Sequence, residues 1–129
     1  MIFLGMREFN RATGTIGEAL AQAKLEQDGF EIVECNYRNK LGEIDIIAKR
    51  ADEKMGVRLH FIEVKYRRSN AFGSGREAVN FAKQKRIHNI ATVYLKQHGL
   101  WGRVYLSFDV IEISGHHSDV KIVHLVSCF

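Results

Sequence analysis

The fold is decided by residues 43–65, which read EIDIIAKRADEKMGVRLHFIEVK. Two apolar runs with interspersed acidic residues flank a polar turn around Lys54, the pattern of a β-hairpin. Side chains two apart on a strand share a face, and opposed side chains on paired strands are close neighbours. A hairpin centred on Lys54 therefore sets Asp45 opposite Glu63, with Lys65 further along the same face.

The segments on either side of this hairpin predict the rest of an α/β domain. Apolar periodicity predicts helices at 16–28 and 81–97 and strands at 30–37, 43–48, 59–65, 104–110 and 120–126. Asn80 is the expected cap of the second helix and Gly99 its stop. The order αβββαββ predicts a mixed central sheet flanked by helices, built on an αβββαβ core. We expect one domain over residues 1–129.

The start of the first helix is predicted from a capping pattern. Thr15-Ile16-Gly17-Glu18 matches a capping box, in which the Thr hydroxyl and the Glu carboxylate each satisfy a backbone N–H at the helix start. Residues 1–12 carry little periodicity and are expected to be irregular. Helix capping is thus a structural interpretation of Glu18 that requires no role in catalysis or binding.

Composition is typical of a globular protein. The chain has 129 residues, of which 46% are hydrophobic and 26% are charged, so it is long enough to bury a core. No stretch approaches the roughly 18 apolar residues of a membrane span, and we expect no membrane contact. The two cysteines, Cys35 and Cys128, are interpreted as reduced packing residues, which favours a cytoplasmic location.

Positive charge is concentrated in one segment. Nine of the 19 Lys and Arg residues lie between Lys65 and Arg103, against one acid in that segment. Such a strip favours binding to a polyanion, although a solvated helix face would look similar. Lys83 and Arg86 are three residues apart on the predicted helix and share a face. With Arg67 and Arg68 from the preceding loop, they are the predicted contacts to nucleic-acid phosphates.

The opposed carboxylates predict a metal-dependent chemistry. Asp45 and Glu63 repel each other unless a cation lies between them, and hard cations such as Mg²⁺ prefer carboxylate oxygens. Lys65 on the same face can orient or deprotonate a water molecule and stabilise charge on a phosphate. A salt-bridged structural hairpin is the alternative. Glu43 fits either an ion pair with a neighbouring Lys or Arg or a direct role in the site.

The histidines are interpreted without a metal role. His60 and His88 are expected to be packing or surface residues rather than a catalytic pair. His116-His117 lies in a polar loop without matching Cys or His spacing, so we expect no zinc site there.

These residues carry a resemblance to known nucleases. Asp45 followed by Glu63-Val64-Lys65 resembles the PD-(D/E)xK motif of restriction endonucleases and archaeal Holliday-junction resolvases, whose core is αβββαβ. A longer set of motifs is similar to the small bacterial YraN-like family of predicted endonucleases: Gly14-x-x-Gly17-Glu18, Asn36-Tyr37-Arg38, Gly42 to Ile47, Phe61 to Arg67, Lys83-x-Lys85-Arg86 and Phe108 to Ile111. The sequence departs from the full motif because no proline directly precedes Asp45.

The resemblance implies a restriction endonuclease-like fold and a function. It assigns Asp45, Glu63 and Lys65 to catalytic positions, and Glu18 to the helix-borne acid that resolvase-like members carry near the metal. It implies metal binding by Asp45, Glu63 and Glu18, with Mg²⁺ as cofactor and Mn²⁺ able to substitute. DNA is the expected substrate, branched DNA by analogy, and the resolvases' two-fold symmetry makes a homodimer an expectation. The alternative is a non-catalytic nucleic-acid-binding accessory protein on a nuclease scaffold; a structural partner of another protein would leave the basic strip unexplained.

Overall fold

The fold is a five-stranded mixed sheet with one helix on each face. The computed structural model describes residues 5–67, 80–115 and 117–129. Its elements are α1 (Gly5–Gln27), β1 (Glu31–Asn39), β2 (Gly42–Asp52), β3 (Gly56–Arg67), α2 (Phe81–Gln97), β4 (Tyr105–Ser114), a 3₁₀ turn (His117–Asp119) and β5 (Lys121–Leu125). The strands are ordered β1-β2-β3-β4-β5, antiparallel except for the parallel pair β3–β4. A parallel pair needs a crossover, which contains α2. The predicted αβββαβ core is confirmed.

The hairpin of β2 and β3 has the predicted register. Pairing runs from Ile46 opposite Ile62 to Asp52 opposite Gly56, so its centre is Lys54. The carboxylate of Asp52 accepts the backbone N–H of Lys54 at 2.9 Å, which closes the turn as an Asx motif. The turn chemistry therefore fixes which side chains of β2 and β3 become neighbours.

Both faces of the sheet are buried, which explains why its central strands are nearly continuous in apolar residues. We call the two cores the α2-side core and the α1-side core. The α2-side core comprises Tyr37, Ile44, Ile47, Leu59, Phe61, Ile87, Ile90, Ala91, Tyr94 and Leu95. The α1-side core comprises Ala21, Leu25, Phe30, Ile46, Ala48, Ile62, Ile111 and Ile113.

The first helix begins earlier than the sequence predicted. α1 starts at Gly5, so residues 5–12 are helical rather than irregular, and Thr15 lies inside the helix rather than at its cap. No proline interrupts this stretch, and extending an existing helix by another residue costs far less than nucleating one. The capping-box interpretation of Thr15–Glu18 is therefore wrong.

The second helix has the predicted boundaries. The side chain of Asn80 accepts the backbone N–H of Lys83 at 2.9 Å, and Gly99 follows the helix with a φ of 66°. Gly42, in the turn between β1 and β2, needs glycine for two reasons. Its φ is 145°, and a Cβ there would lie 3.0 Å from Ile90 of α2. Among the described residues, no helix is long and apolar enough to cross a membrane.

Candidate active site

Asp45 lies at a distortion of the sheet. Asn36, on the neighbouring strand β1, has a φ of 54°, in the left-handed region. Ile44 packs in the α2-side core and Ile46 in the α1-side core, although residues two apart on a regular strand share a face. The strand therefore turns over at Asp45, whose carboxylate accepts the backbone N–H of Val64 at 2.8 Å. Residues other than glycine with such backbone angles cluster at functional sites.

Glu63 lies one position beyond the last β2–β3 pair and has two lysine partners. Its side chain is only 10% exposed. Lys83 Nζ, from the first turn of α2, donates to Glu63 Oε1 at 2.5 Å, and Lys65 Nζ lies 3.4 Å from the same oxygen. We call Asp45, Glu63, Lys65 and Lys83 the carboxylate–lysine site. It combines two carboxylates and two ammonium groups on the α2 side of β3.

The surroundings of Asp45 destabilise its ionised form. Burial is the largest cause that raises the pKa of its carboxyl, and the negative charge of Glu63 is the next; with the more distant Glu18 and Glu43 they bring it to about 7. The hydrogen bond from the Val64 amide opposes these effects. Asp45 therefore ionises reluctantly unless positive charge is brought to it.

The two lysines are shifted in opposite directions. Burial lowers the pKa of Lys65, and hydrogen bonding to Lys83 lowers it further, against the attraction of Glu63. Burial also lowers the pKa of Lys83, but its hydrogen bond to Glu63 and the charge of Glu63 outweigh that effect, so the pKa of Lys83 is raised. Lys83 thus holds its proton firmly, while Lys65 is the readier proton acceptor.

Glu18 stands at the border of this site. The Asn36 amide donates to its carboxylate at 3.2 Å, and its charge contributes to the raised pKa of Asp45. Within the described residues, the oxygens of Glu18, Asp45 and Glu63 do not form a compact three-carboxylate cluster. The structure therefore brings Glu18 near the site but gives it a partner of its own.

Glu43 forms an ion pair, one of its two predicted alternatives. Its carboxylate accepts from Arg38 Nε at 3.0 Å and also from the guanidinium Nη2. Both residues lie at the β1–β2 end of the sheet, and the pair accounts for the charge on Glu43.

Comparison with known proteins places the chain in a family. Residues 17–113 match the model of the family described as "Uncharacterised protein family UPF0102". A UPF0102 protein of Alkaliphilus oremlandii is 42% identical over 93% of this chain and 99% of its own length. One of Clostridium tetani is 44% identical over 91% and 93%, and one of Rhodococcus jostii is 43% identical over 93% and 98%. The chain belongs to the UPF0102 family.

The region that matches the UPF0102 family model contains most of the polar residues described above. Residues 17–113 contain Glu18 and the whole carboxylate–lysine site. The relatives' names describe no activity. Membership of the PD-(D/E)xK superfamily accordingly remains a prediction.

The predicted phosphate contacts of this UPF0102 protein fall in three places. Arg86 is exposed on α2, near the β1–β2 turn, while Lys83 of the same helix face is turned toward Glu63. Arg67 is the last residue of β3, and Arg68 lies outside the described residues. The structure therefore gives Lys83 a partner that the sequence did not anticipate.

A second polar cluster, which we call the histidine–aspartate cluster, was missed by sequence analysis. Asp109 Oδ2 lies 2.7 Å from His60 Nδ1 and 2.7 Å from His124 Nε2. Burial raises the pKa of Asp109, but hydrogen bonds from His124, His60, Ser107 and Ser127 together hold it well below its usual range. His60 is buried, one of the two predicted alternatives for it, yet it has a polar partner. An aspartate inside the apolar run 108–113 was the available signal.

Glu112 is a further acid that the sequence did not single out. It is paired with Lys65 across β3 and β4, and its buried Oε2 has no hydrogen-bond partner among the described residues. Because cross-strand neighbours share a face, Glu112 lies on the side of the sheet that carries the carboxylate–lysine site.

Proposed function

We propose that this protein is a metal-dependent nuclease that hydrolyses phosphodiester bonds of nucleic acid. The observation that carries the proposal is the convergence of Asp45, Glu63 and Lys65 where the β2–β3 pairing ends. Their order along the chain and their position on two central strands agree with the PD-(D/E)xK pattern. DNA is the proposed substrate, with branched, Holliday-junction-like DNA preferred by analogy.

The donor set fits a hard divalent cation. Asp45 has a pKa raised to about 7 by burial and by the charge of Glu63, so a cation between the two carboxylates would relieve a real repulsion. Carboxylate oxygens are the ligands that Mg²⁺ and Mn²⁺ prefer. Asp45 and Glu63 would hold the ion, with Glu18 as the third candidate. Bound there, it would supply Lewis-acid polarisation of the scissile phosphate and a more acidic water.

The chain's own lysines have separate tasks in this proposal. Lys65, with a pKa lowered by burial and by Lys83, takes a proton from the attacking water or donates to a phosphate oxygen as charge develops on it. Lys83 keeps its charge and fixes the carboxylate of Glu63 from the α2 side. The two ammonium groups also provide positive potential for an anionic substrate.

Nucleic-acid binding is supported by the charge of the surrounding segment. Arg86 is exposed on α2, whose first turn also supplies Lys83 to the site. Together with Arg67 and Arg68 they would contact backbone phosphates, which position a duplex without reading its sequence. A homodimer, as in two-fold resolvases, and a cytoplasmic location complete the proposal.

The experiment is a cleavage assay with a panel of substrates. The full chain is incubated with branched, duplex and single-stranded DNA and with RNA, in Mg²⁺, in Mn²⁺ and in chelator. We expect metal-dependent cleavage that Asp45→Asn and Glu63→Gln abolish and that Asp119→Asn, which changes an exposed aspartate, leaves intact. Cleavage that survives in both site variants would refute the assignment.

Metal binding is tested separately by titration with Mn²⁺ in the absence of nucleic acid. Glu63→Gln and Asp45→Asn should each weaken the site. Unchanged affinity in both variants would remove the proposed cluster, whatever the cleavage assay shows.

One observation favours the accessory-protein alternative. Glu63 already has two ammonium partners, so its charge is compensated without a metal ion. A protein of this kind would bind nucleic acid with equal affinity with or without divalent cations and cleave none of the panel. The Mn²⁺ titration and the cleavage assay together separate the two functions.

A further inference from the structure

The histidine–aspartate cluster joins three strands on the α1 side of the sheet. His60 comes from β3, Asp109 from β4 and His124 from β5. His60 Nδ1, Asp109 Oδ2 and His124 Nε2 all lie within 4.8 Å of one another. The side chains are almost completely buried, at 2%, 0% and 7% exposed. Three residues that are far apart in the sequence therefore place their potential ligand atoms close together.

Asp109 offers a buried, charged carboxylate as a ligand for a cation. A fully buried carboxylate is costly unless it is paired. Among the described residues, the ion-pair partners of Asp109 are the two imidazoles, and neither is a permanent cation. A divalent ion among the three ligand atoms would place a full positive charge beside this carboxylate.

The other carboxylate oxygen is held by a separate set of donors. Ser107 Oγ donates to Asp109 Oδ1 at 2.5 Å and the Ser127 backbone N–H donates to it at 3.0 Å. Ser127 adopts a φ of 54°, a conformation that non-glycine residues rarely take and that needs support from its surroundings. Outer hydrogen bonds of this kind orient ligands in metal sites. They leave Oδ2 directed at the two imidazoles.

Two surface clefts border the cluster. His60 lines a surface cleft of about 360 Å³ beside Arg50 and Arg58. His124 lines a second cleft of about 530 Å³ beside Phe30 and Arg50. An ion would reach the ligand atoms from one of these clefts, past the ring of His60 or His124.

We propose that His60, Asp109 and His124 bind a divalent first-row transition metal, with Zn²⁺ as the reference ion. Two imidazole nitrogens and one carboxylate oxygen suit Zn²⁺ and its neighbours, whereas Mg²⁺ prefers oxygen ligands alone. Neutral imidazoles need no external base, because each moves its proton to its other ring nitrogen when the metal binds. This centre lies on the opposite face of the sheet from the carboxylate–lysine site and does not depend on nuclease activity.

The test is a Zn²⁺ titration of the full chain against a chromophoric chelator, with thermal unfolding as the second readout. In Glu63→Gln, which impairs the carboxylate–lysine site, we expect one Zn²⁺ per chain, a rise in the thermal midpoint with Zn²⁺ but not with Mg²⁺, and a visible Co²⁺ spectrum indicating nitrogen ligands. Loss of an outer hydrogen bond typically costs 10- to 100-fold in metal affinity, so loss of a ligand in His124→Gln should cost at least about 100-fold.

Matched variants make the result decisive. Asp109→Asn keeps the shape of the side chain and should lose the ion as His124→Gln does. Because His124 lies on the edge strand β5, we expect His124→Gln to fold. His88→Gln changes an exposed histidine, and Glu63→Gln changes the other site; both should bind Zn²⁺ like the wild type. Absence of Zn²⁺ binding by the wild type, or equal binding by His124→Gln, would overturn the proposal and leave a purely hydrogen-bonded cluster.

Discussion

The carboxylate–lysine site and the histidine–aspartate cluster lie on opposite faces of β3, three residues apart. Phe61, two residues from Glu63, packs in the α2-side core, and Ile62, two residues from His60, packs in the α1-side core. Alternation along one strand thus separates two polar centres by the thickness of the sheet. Each centre contains an aspartate, half-buried Asp45 in one and fully buried Asp109 in the other, so the same residue type can be compared in two surroundings.

Those surroundings shift the two aspartates in opposite directions. Burial and the like charge of Glu63 raise the pKa of Asp45 to about 7, where a single amide hydrogen bond opposes them. Burial also raises the pKa of Asp109, but four hydrogen bonds outweigh it and the net pKa is lowered. Asp45 therefore lacks compensating charge for its ionised form, whereas Asp109 is stabilised as an ion by the fold.

The largest expected effect is on stability at Asp109. Asp109→Ala leaves His60, His124 and the Ser127 amide without their common acceptor, and breaking a buried charged network costs about 3–5 kcal/mol of unfolding free energy. Urea denaturation measures this loss, with the exposed Asp119→Ala as control. A loss below about 1 kcal/mol, the usual contribution of an ion pair on the surface, would contradict the conclusion that the hydrogen bonds to Asp109 stabilise the fold.

Lys65→Ala should reduce cleavage by roughly 10²-fold, the usual effect of removing a preorganised charge stabiliser. Metal affinity should stay unchanged, because Asp45 and Glu63 remain. The measurement is single-turnover cleavage together with Mn²⁺ titration. Lys85→Ala, which removes an exposed lysine of the same basic strip, is the control. Full activity of Lys65→Ala would assign Lys65 to structure alone.

Asp45→Asn should stabilise the metal-free protein while it abolishes function. A carboxyl whose pKa is raised on folding contributes stability at low pH that is lost as pH rises through the folded value. The stabilisation of the variant relative to wild type should therefore grow from about pH 4 to about pH 7, reaching about 4 kcal/mol above that range. Urea denaturation in chelator, repeated across this pH range, measures it.

The matched control for Asp45→Asn is Glu43→Gln, which changes an ion-paired carboxylate near the surface and should give a small difference at every pH. If Asp45→Asn destabilises the protein throughout the range, the ionised Asp45 is satisfied by the fold. The site would then have no electrostatic need for a cation.

The hairpin could be predicted from sequence because its information is local. The polar turn around Lys54 fixes the register as far as the Ile46–Ile62 pair, which directly adjoins Asp45 and Glu63. The caps at Asn80 and Gly99 are local in the same sense. The start of α1 was missed because a capping pattern can also occur inside a helix.

The remaining site contacts depend on how elements are arranged in space. Lys83 reaches Glu63 across 20 residues, and His60 meets Asp109 across 49. These contacts depend on the order of the strands in the sheet and on the rotation of α2 about its axis, which no local sequence pattern specifies. The distortion at Asn36 is likewise invisible in the sequence, because it depends on the pairing of β1 with β2.

The smallest expected effect concerns the salt dependence of DNA binding and separates Lys83 from Arg86. The sequence predicts that both contact phosphates, so the double variant should flatten the slope of log affinity against log salt by about two, at about 0.9 per contact. In the structure Lys83 is paired with Glu63 and Arg86 is exposed. We therefore expect Arg86→Ala to flatten the slope by about 0.9 and the added Lys83→Ala to change it little. Fluorescence anisotropy of labelled duplex DNA in chelator measures the slopes. A double variant flattened by two would mean that Lys83 leaves Glu63 for the backbone, and an unchanged slope in Arg86→Ala would make the strip an ordinary solvated helix face.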